Sequence, residues 1–297
     1  MLKFKKIEIE DAEIISRYIT DDGEYSCENA FVNLLVWQCR FNNMAAFCEG
    51  QLIIKSGPEN EPFFRLPFGS DFEKGMYLIR KYCGKEHPEF WAQEGAKLNL
   101  FRELYGNKYT FTENRDAFDY IYLQNDLAAL SGKKYHSKRN HISAFSKKYE
   151  WRYEPITESN INAVRLCADR WYRENSFRAD RHLICEKNGV QIMLENMDRL
   201  GILGGAIYVG EEVAAFTLGS PVNSEVFDIH IEKALPEYAE VYTVINREFA
   251  LNALGGYKYI NREDDMGLEG LRKAKLSYKP AILLEKYSCR PNLLNNG

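Results

Sequence analysis

Long apolar runs are missing from this sequence, and so are the short motifs that mark most nucleotide sites. The most apolar longer stretch, 201–219, is interrupted by Glu211 and Glu212, so the sequence predicts no integral membrane segment. No Gly-x-Gly-x-x-Gly follows a strand and no Walker P-loop occurs, which argues against a dinucleotide-binding Rossmann fold or a P-loop enzyme. The first residues also lack the apolar stretch of a signal peptide, so we expect a cytoplasmic location.

The cysteines show no metal-binding or disulfide pattern. There are seven, an odd number, scattered over the chain without a Cys-x-x-Cys or Cys/His spacing. This pattern predicts no metal site and indicates a reducing compartment, in which most cysteines act as small core residues. The seven are Cys27, Cys39, Cys48, Cys83, Cys167, Cys185 and Cys289.

The size and composition indicate a globular protein of two domains. A chain of 297 residues is about twice the length of a typical single domain, and 45% hydrophobic with 28% charged residues is normal for a packed protein. We expect an N-terminal lobe over 1–125 and a C-terminal lobe over 126–297. The formal net charge of −4 argues against a protein that binds nucleic acid over its whole surface.

Both halves show a similar order of elements. In the first half, the patterns predict helices at 28–39, 71–82 and 97–105, a hairpin at 44–55, and strands at 63–66, 90–93 and 118–123. In the second half, they predict helices at 157–175, 186–200 and 238–254, a hairpin at 203–218, and strands at 225–232, 258–261 and 280–287. A hairpin beside a later helical crossover implies antiparallel and parallel strands in one sheet. We therefore expect an α/β (α+β) fold with mixed sheets flanked by helices.

A basic segment lies where the two lobes meet. Residues 131–152 contain seven Lys or Arg and one acid, and the apolar residues Tyr135, Ile142, Phe145 and Tyr149 recur at helical spacing. One interpretation is a solvated junction helix over 132–150 that docks the two lobes. The other is an anion site for the phosphate of a tRNA acceptor end, a nucleotide or a lipid head group. The candidate phosphate- or carrier-binding residues are Lys133, Lys134, Lys138, Arg139 and His141.

The strand at 226–232 alternates between apolar and ionisable residues. Alternation predicts that Phe227, Ile229 and Ile231 share one face. The other face then carries Asp228, His230 and Glu232. Three ionisable groups are costly to bury unless they pair or act chemically. They are either hydrogen-bonded polar groups on a partly exposed face, or groups that bind an ammonium or transfer a proton.

A second charged cluster follows the strand at 258–261. Because clefts open at the ends of strands in α/β sheets, these side chains are candidates for a substrate site. The alternative is a capped and salt-bridged helix. The candidate catalytic residues are Asp228, His230 and Glu263, and the candidate substrate-binding residues are Glu232, Asn261, Arg262, Asp264, Arg272, Lys273 and Lys275. Asn33 and Trp37 are candidates to cover the cleft from the first lobe.

Two stretches carry a family resemblance. The first is GKKYHSKRNHISAF at 132–145. The second comprises IHIEKA at 229–234, INREF at 245–249 and YINREDDMGLEGLRKAKLSYKP at 259–280. Together they resemble the bacterial family of uncharacterised proteins grouped with the C-terminal domain of phosphatidylglycerol lysyltransferase. The resemblance implies tandem N-acetyltransferase-like (GNAT-like) folds of the Fem type. It also implies an acyl- or aminoacyltransferase, with aminoacyl-tRNA as a possible donor and a small molecule or lipid head group as acceptor.

Two other functions stay open. An acyl-CoA-dependent N-acyltransferase uses the same fold, but it needs a glycine-rich loop and a helix N-terminus for the diphosphate. Residues 235–241 contain no glycine and carry Glu237 and Glu240, so a standard acetyl-CoA site is disfavoured and such an enzyme would have an atypical phosphate site. The third function is a non-catalytic ligand-binding protein on the same fold. The sequence identifies neither the donor, the acceptor nor the oligomeric state.

Overall fold

The computed structural model describes residues 2–20, 25–176, 181–238 and 240–292. Its strands are β1 Lys5–Lys6, β2 Met44–Cys48, β3 Gln51–Ser56, β4 Phe63–Arg65, β5 Phe68–Gly69, β6 Glu89–Gln93, β7 Tyr109–Glu113, β8 Asp119–Leu123, β9 Trp151–Pro155, β10 Leu203–Val209, β11 Glu212–Pro221, β12 Val226–Ala234, β13 Tyr259–Asn261, β14 Ile282–Leu284 and β15 Lys286–Pro291. Its helices are α1 Ala12–Thr20, α2 Phe31–Val36, α3 Gln38–Phe41, α4 Phe72–Cys83, α5 Ala96–Tyr105, α6 Gln124–Ala129, α7 His136–Lys148, α8 Ile161–Glu174, α9 Arg181–Glu195, α10 Val241–Ala253 and α11 Glu269–Leu276.

The strands form two mixed sheets that exchange strands. In the described part of the chain, the first sheet has the order β1-β2-β3-β4-β6-β15-β7 with β5 beside β3, and the second has the order β14-β8-β13-β12-β11-β10-β9. Each sheet contains one parallel pair, β4 with β6 and β12 with β13. β8 lies before residue 125 but belongs to the second sheet, and β15 returns from the end of the chain to the first. The two sheets therefore do not divide the chain at residue 125. A domain boundary near that residue stays a prediction.

Local sequence signals explain several elements. α4 begins after Asp71, whose carboxylate accepts the Lys74 backbone N–H at 2.9 Å, and ends at Gly84 in the left-handed region. The hairpin predicted at 203–218 is confirmed as the antiparallel pair β10 and β11. α7 coincides with the predicted junction helix, with Tyr135 just before it and Phe145 within it both buried.

Other predicted elements were wrong in their bounds. The helix expected at 28–39 is a short turn followed by α2 and α3, because Ala30 is extended at the N-cap of α2. β7 and β9 were missed, since both are half-exposed and carry weak apolar alternation. The single strand expected at 280–287 is two strands, β14 and β15, which join different sheets. Sequence periodicity reports burial along one element and not the sheet that the element joins.

A bulge interrupts the alternation of β12. Leu218 pairs with Ile231 and the next residue, Gly219, pairs with Ile229, so His230 is an extra residue opposite β11. The expectation that Phe227, Ile229 and Ile231 share a face was therefore wrong: Ile231 packs in a different core cluster from the other two. The bulge needs a glycine opposite it, because a Cβ on Gly219 would lie 2.2 Å from the Asp228 carbonyl oxygen.

The largest core cluster joins both sheets. It combines Leu34 and Ile54 from the first part of the chain with Val164 and Phe216 from the second. A disulfide between Cys39, next to α2 in α3, and Cys185 in α9 adds a covalent link across the same region. The expectation of reduced core cysteines was wrong for this pair, since scattered positions give no sign of spatial proximity. Among the described residues, no helix is long and apolar enough to cross a membrane.

Candidate functional site

A cavity of about 980 Å³ opens between the two sheets. Elements of both halves supply its walls. Its lining from the first half includes Cys27, Glu28, Asn33, Trp37, Arg65 and Trp91. Its lining from the second half includes Lys138, His230, Glu232, Arg262, Glu263, Asp264 and Tyr278. Asn33 and Trp37 thus lie on the cavity wall, as the sequence suggested for the cover of a cleft.

Glu263 is held in an unusual backbone conformation at the floor of this cavity. It follows β13 with φ at 54°, a left-handed value that is rare for a residue with a side chain. The Asn261 Oδ1 atom fixes the turn by accepting the Glu263 N–H at 2.7 Å. The Glu263 carboxylate accepts a hydrogen bond from Asn33 Nδ2 at 3.1 Å and lies 3.3 Å from His230 Nδ1. Residues from the first and second halves of the chain therefore meet at a single carboxylate.

The side chains of Asp228, His230 and Glu263 form a cluster of ionisable groups with His230 between the two carboxyl groups. His230 Nδ1 lies 3.2 Å from Asp228 Oδ2, and its Nε2 lies 2.8 Å from Ser220 Oγ. Asp228 is fully buried. Burial opposes the charge on His230, but the Asp228 and Glu263 carboxylates together outweigh it and raise the pKa of His230 to about 9. Burial raises the pKa of Asp228, and burial together with Asp228 raises the pKa of Glu263. The imidazolium is thus placed between two carboxyl groups that hold protons more tightly than usual.

Behind this group, Asp119 ties three parts of the chain together. Its carboxylate accepts the Cys27 backbone N–H at 2.9 Å, Asn261 Nδ2 at 3.0 Å and Lys286 Nζ at 2.7 Å. Asp119 lies on β8 and Lys286 on β15, the two strands that the sheets exchange. Burial opposes the charge on Asp119, but Lys286 outweighs it and lowers its pKa. This buried pair holds Asn261, which in turn holds the backbone of Glu263.

At another corner of the cavity, two cations lie close to Tyr278. Arg262 Nη2 donates to Glu232 Oε1 at 2.9 Å, and its guanidinium carbon lies 5.0 Å from the centre of the Tyr278 ring. Lys138 Nζ lies 3.7 Å from the centre of the same ring. The junction helix α7 therefore reaches the cavity through Lys138. Burial and the nearby Arg262 guanidinium lower the pKa of Lys138 to about 8.

Several other predicted site residues have local structural partners. Arg272 does not line the cavity; it binds Asp265 and also Asp116, which does. Lys273 is exposed and paired with Glu269. Lys275 lines the cavity but directs its ammonium to the backbone carbonyls of Arg262 and Asp264. Burial raises the pKa of Asp264, which lines the cavity, to about 6.

The remaining basic residues of the junction do not join the cavity wall. Lys134 pairs with Asp126 at 2.7 Å, and Arg139 donates to the backbone carbonyls of Leu130 and Gly132. Lys133 and His141 are exposed on the surface. Of the five junction candidates, the structure brings Lys138 to the cavity and gives Arg139 a role in fixing the connection from α6.

Three residues of the first half and the last strand were not predicted from the sequence. Asp119, Glu28 and Lys286 carried no motif, although a charged residue inside an apolar strand, such as Asp119 in DYIYL, is a signal that burial with a partner is needed. Glu28 accepts Trp91 Nε1 at 3.1 Å on the cavity wall.

In one set of side chains, the potential ligand atoms are close enough together to bind a metal ion. Ligand atoms of Cys27, Asp228 and Glu263 lie within 4.8 Å of one another. Lys286 Nζ lies 3.4 Å from Cys27 Sγ, and burial raises the pKa of this thiol, so the thiolate that a metal needs is disfavoured. The arrangement fits proton sharing better than metal binding.

Comparison with known proteins places this site in a family. The model of the phosphatidylglycerol lysyltransferase C-terminal domain matches residues 23–290. The chain belongs to this family. The match covers every residue of the cavity lining named above and all the strands except β1 and the last residue of β15. The predicted resemblance is therefore confirmed.

Solved structures show the same architecture. A protein of unknown function from Bacteroides thetaiotaomicron is 33% identical, with a TM-score of 0.90 over 98% of this chain and 100% of that one. The C-terminal domain of a putative lysylphosphatidylglycerol synthetase from Agrobacterium fabrum is 12% identical, with a TM-score of 0.65 over 95% and 92%. FemX is 8% identical, with a TM-score of 0.56 over 96% of each chain. These likenesses confirm the predicted α/β architecture of tandem GNAT/Fem folds.

A relative found by sequence is itself described as uncharacterised. An uncharacterised protein of Mycoplasmoides gallisepticum is 23% identical over 176 residues, which span 57% of this chain and 54% of that protein. The chain thus matches about half the length of this curated relative. Family and fold together show a GNAT-type fold similar to that of the C-terminal domain of lysylphosphatidylglycerol synthetase.

Proposed function

We propose that this family member is an aminoacyl- or acyltransferase that forms an amide or ester in the cavity between its two sheets. The observation that supports it most is the Glu263 carboxylate, which faces the cavity while its backbone is fixed by Asn261 and its side chain by Asn33 and His230. A carboxylate held in a strained backbone conformation inside a cavity is arranged for a proton transfer more than for stability.

In this reaction Glu263 is the general base. The amine or hydroxyl of the acceptor attacks the carbonyl carbon of the donor ester, and the Glu263 carboxylate accepts the proton that the acceptor loses. Collapse of the tetrahedral intermediate breaks the ester bond, and the departing oxygen receives that proton. A raised pKa of Glu263 suits this cycle because it makes the carboxylate a stronger base. His230 and Asp228 act behind Glu263 by setting its position and charge.

The donor that the site favours is an aminoacyl ester rather than acyl-CoA. The segment just before α10 carries Glu237 and Glu240, and Arg170 forms an ion pair with Glu237. These carboxylates stand where an acetyl-CoA enzyme of this fold presents a helix N-terminus to the diphosphate, and they repel it. The carboxylates on the cavity wall, among them Glu28 and Asp264, suit the ammonium group of an aminoacyl donor. Aminoacyl-tRNA is the proposed carrier.

The test is single-turnover transfer from a mixture of tRNAs charged with labelled amino acids. Lipid vesicles and small amines serve as acceptors in separate reactions. The Glu263→Gln variant keeps the shape of the side chain but cannot accept a proton, so we expect the transfer rate to fall by about 10²- to 10⁴-fold. The matched control is Glu269→Gln, on a carboxylate at the start of α11 that is 81% exposed and paired only with Lys273 among the described residues. Absence of transfer to every acceptor, or equal rates for Glu263→Gln and the native protein, would overturn the proposal.

A further inference from the structure

A disulfide lies in the wall of the cavity and joins the two halves of the chain. Cys39 belongs to α3 and Cys185 to α9, 146 residues later. The chain neighbours of both cysteines line the cavity, and we call these neighbours the rim: Trp37, Arg40 and Phe41 at α3, and His182 and Glu186 in α9. The bond between the two cysteines therefore holds the two sides of the rim together.

Each side of the rim has an anchor of its own. α3 has four residues, all exposed or half-buried, and Gln38 Oε1 accepts the Ile7 N–H of the N-terminal segment at 2.7 Å. α9 is packed on α2 further along its length, where a Cβ on the buried Gly189 would lie 3.0 Å from Val36 Cβ. Cleavage of the disulfide would leave both anchors in place, so its effect would fall on the rim.

The other contacts across the rim are noncovalent and accessible to solvent. The half-exposed rings of Trp37 and His182 have centres 4.7 Å apart. The exposed Arg181 donates from Nη2 to the Cys39 carbonyl oxygen at 3.0 Å. Exposed contacts of this kind open locally at little cost in free energy, whereas a covalent bond does not. The disulfide therefore decides whether α3 stays on the first turns of α9.

A reductant can reach the disulfide from one side. Cys39 is exposed, and Cys185 is fully buried. A thiolate that attacks the Cys39 sulfur forms a mixed disulfide with it, and Cys185 leaves and takes up a proton. The second thiol of a dithiol reductant then displaces Cys39 as a thiol, and the reductant departs as a cyclic disulfide. The dithiol thus supplies both electrons and both protons.

The buried end of the disulfide lies close to His230. Cys185, Trp37 and His230 line one small void. Glu186, the residue after Cys185, forms an ion pair at 2.7 Å with Lys233 Nζ of β12, the strand that carries His230. A displacement of the first turns of α9 would therefore change the surroundings of the candidate site as well as its opening.

We propose that the Cys39–Cys185 disulfide is a redox-sensitive device that controls access to the cavity. In the oxidised form, the bond holds α3 on the first two turns of α9. Reduction by a dithiol lets these segments separate, while the contact of Gly189 with Val36 keeps the rest of α9 in place. The device acts on the cavity whatever reaction takes place there, so the proposal goes beyond the transferase function and does not depend on it.

Thiol counting and hydrogen exchange of the full chain test the device without a substrate. The protein purified without reductant should show five free thiols after denaturation, and seven after reduction with dithiothreitol. In the native state, reduction should accelerate amide exchange by about 10-fold or more at 40–42 and 185–188. The exchange of 190–195 and of α4 should stay unchanged. Oxidised dithiothreitol should restore the slow exchange.

Alkylation of Cys27, which is buried in the cavity wall, measures access to the cavity. A variant with both Cys39→Ser and Cys185→Ser cannot form the bond. We expect iodoacetamide to modify Cys27 about 10-fold faster in this variant than in the oxidised native protein, as read by peptide mass spectrometry. Cys289, buried outside the described cavity lining, is the internal reference. Cys48→Ser removes a free thiol and should behave like the native protein.

Three results would overturn the proposal. The first is seven free thiols in the protein purified without reductant. The second is equal exchange at the rim and equal alkylation of Cys27 with and without the bond. The third is faster alkylation of Cys289 in step with Cys27, because general unfolding would make the disulfide a structural bond with no specific effect on access. None of these measurements uses transfer, so they stand apart from the test of the proposed reaction.

Discussion

At position 230 a histidine ring lies between two carboxyl groups, and its proton contributes to stability. The sequence predicted Asp228 and His230 as candidate catalytic residues from the ionisable face of one strand, and Glu263 from the charged cluster after a later strand. The contact of His230 with Ser220 and the support of Glu263 by Asn33 could not be predicted. The first contact depends on the bulge in β12, and the second depends on the position of α2 against β13. Neither can be read from the pattern of a single segment.

The charge on His230 makes stability depend on pH. The folded pKa of about 9 exceeds the ordinary value of 6.5, so folding favours the protonated ring. The stabilisation is complete below pH 6.5 and is lost as the pH rises through 9. At about 1.4 kcal/mol per pKa unit, it amounts to about 3 kcal/mol.

Chemical denaturation at a series of pH values measures this effect. We expect the free energy of unfolding to fall between pH 6.5 and 9 in the native protein, and to fall by less in His230→Gln. The difference between the two proteins isolates His230, because Lys138, whose pKa of about 8 lies below its ordinary value, acts with the opposite sign above pH 8 in both. Identical pH dependence of the two proteins would show that His230 is neutral in the fold.

At the scale of elements, the bulge between β11 and β12 aligns the candidate site. The alternation of 226–232 predicted a strand and its polar face, and both hold for Asp228 and His230. The extra residue in the register could not be predicted, because alternation looks the same in a regular and a bulged strand. Gly219 was the available signal, since a glycine inside a strand pattern often marks a bulge or a close backbone approach.

Gly219→Ala tests the need for close approach at this bulge. The new methyl group would meet the Asp228 carbonyl oxygen at 2.2 Å and the Phe227 ring at 2.4 Å, and neither can move freely. We expect a loss of about 1–3 kcal/mol in the free energy of unfolding, measured by urea denaturation. Gly255→Ala is the control, because its Cβ would meet nothing within 4 Å. Equal stability of the two variants would show that β12 can shift without cost.

At the scale of the molecule, the cavity exists because the two sheets exchange β8 and β15. The order of helices, hairpins and strands predicted mixed sheets in both halves, and the family resemblance predicted the tandem arrangement. Which strand joins which sheet was beyond the sequence, because only Glu285 separates β14 from β15 and the pattern of one segment does not show which strands it pairs with. The pair of Asp119 and Lys286 was missed for the same reason. Asp119 meets Lys286 because β8 pairs with β14 at Leu284, two residues before Lys286 begins β15.

The identity of the donor tests the central claim most directly. The measurement is the melting temperature of the native protein with bulk aminoacyl-tRNA, acetyl-CoA or long-chain acyl-CoA. A ligand at 100 times its dissociation constant adds about 2.7 kcal/mol to the free energy of unfolding, which a melting curve resolves. An aminoacyltransferase predicts a higher melting temperature with aminoacyl-tRNA and a smaller or absent shift with either CoA ester. Stabilisation by an acyl-CoA alone would contradict the account and identify an acyl-CoA-dependent enzyme.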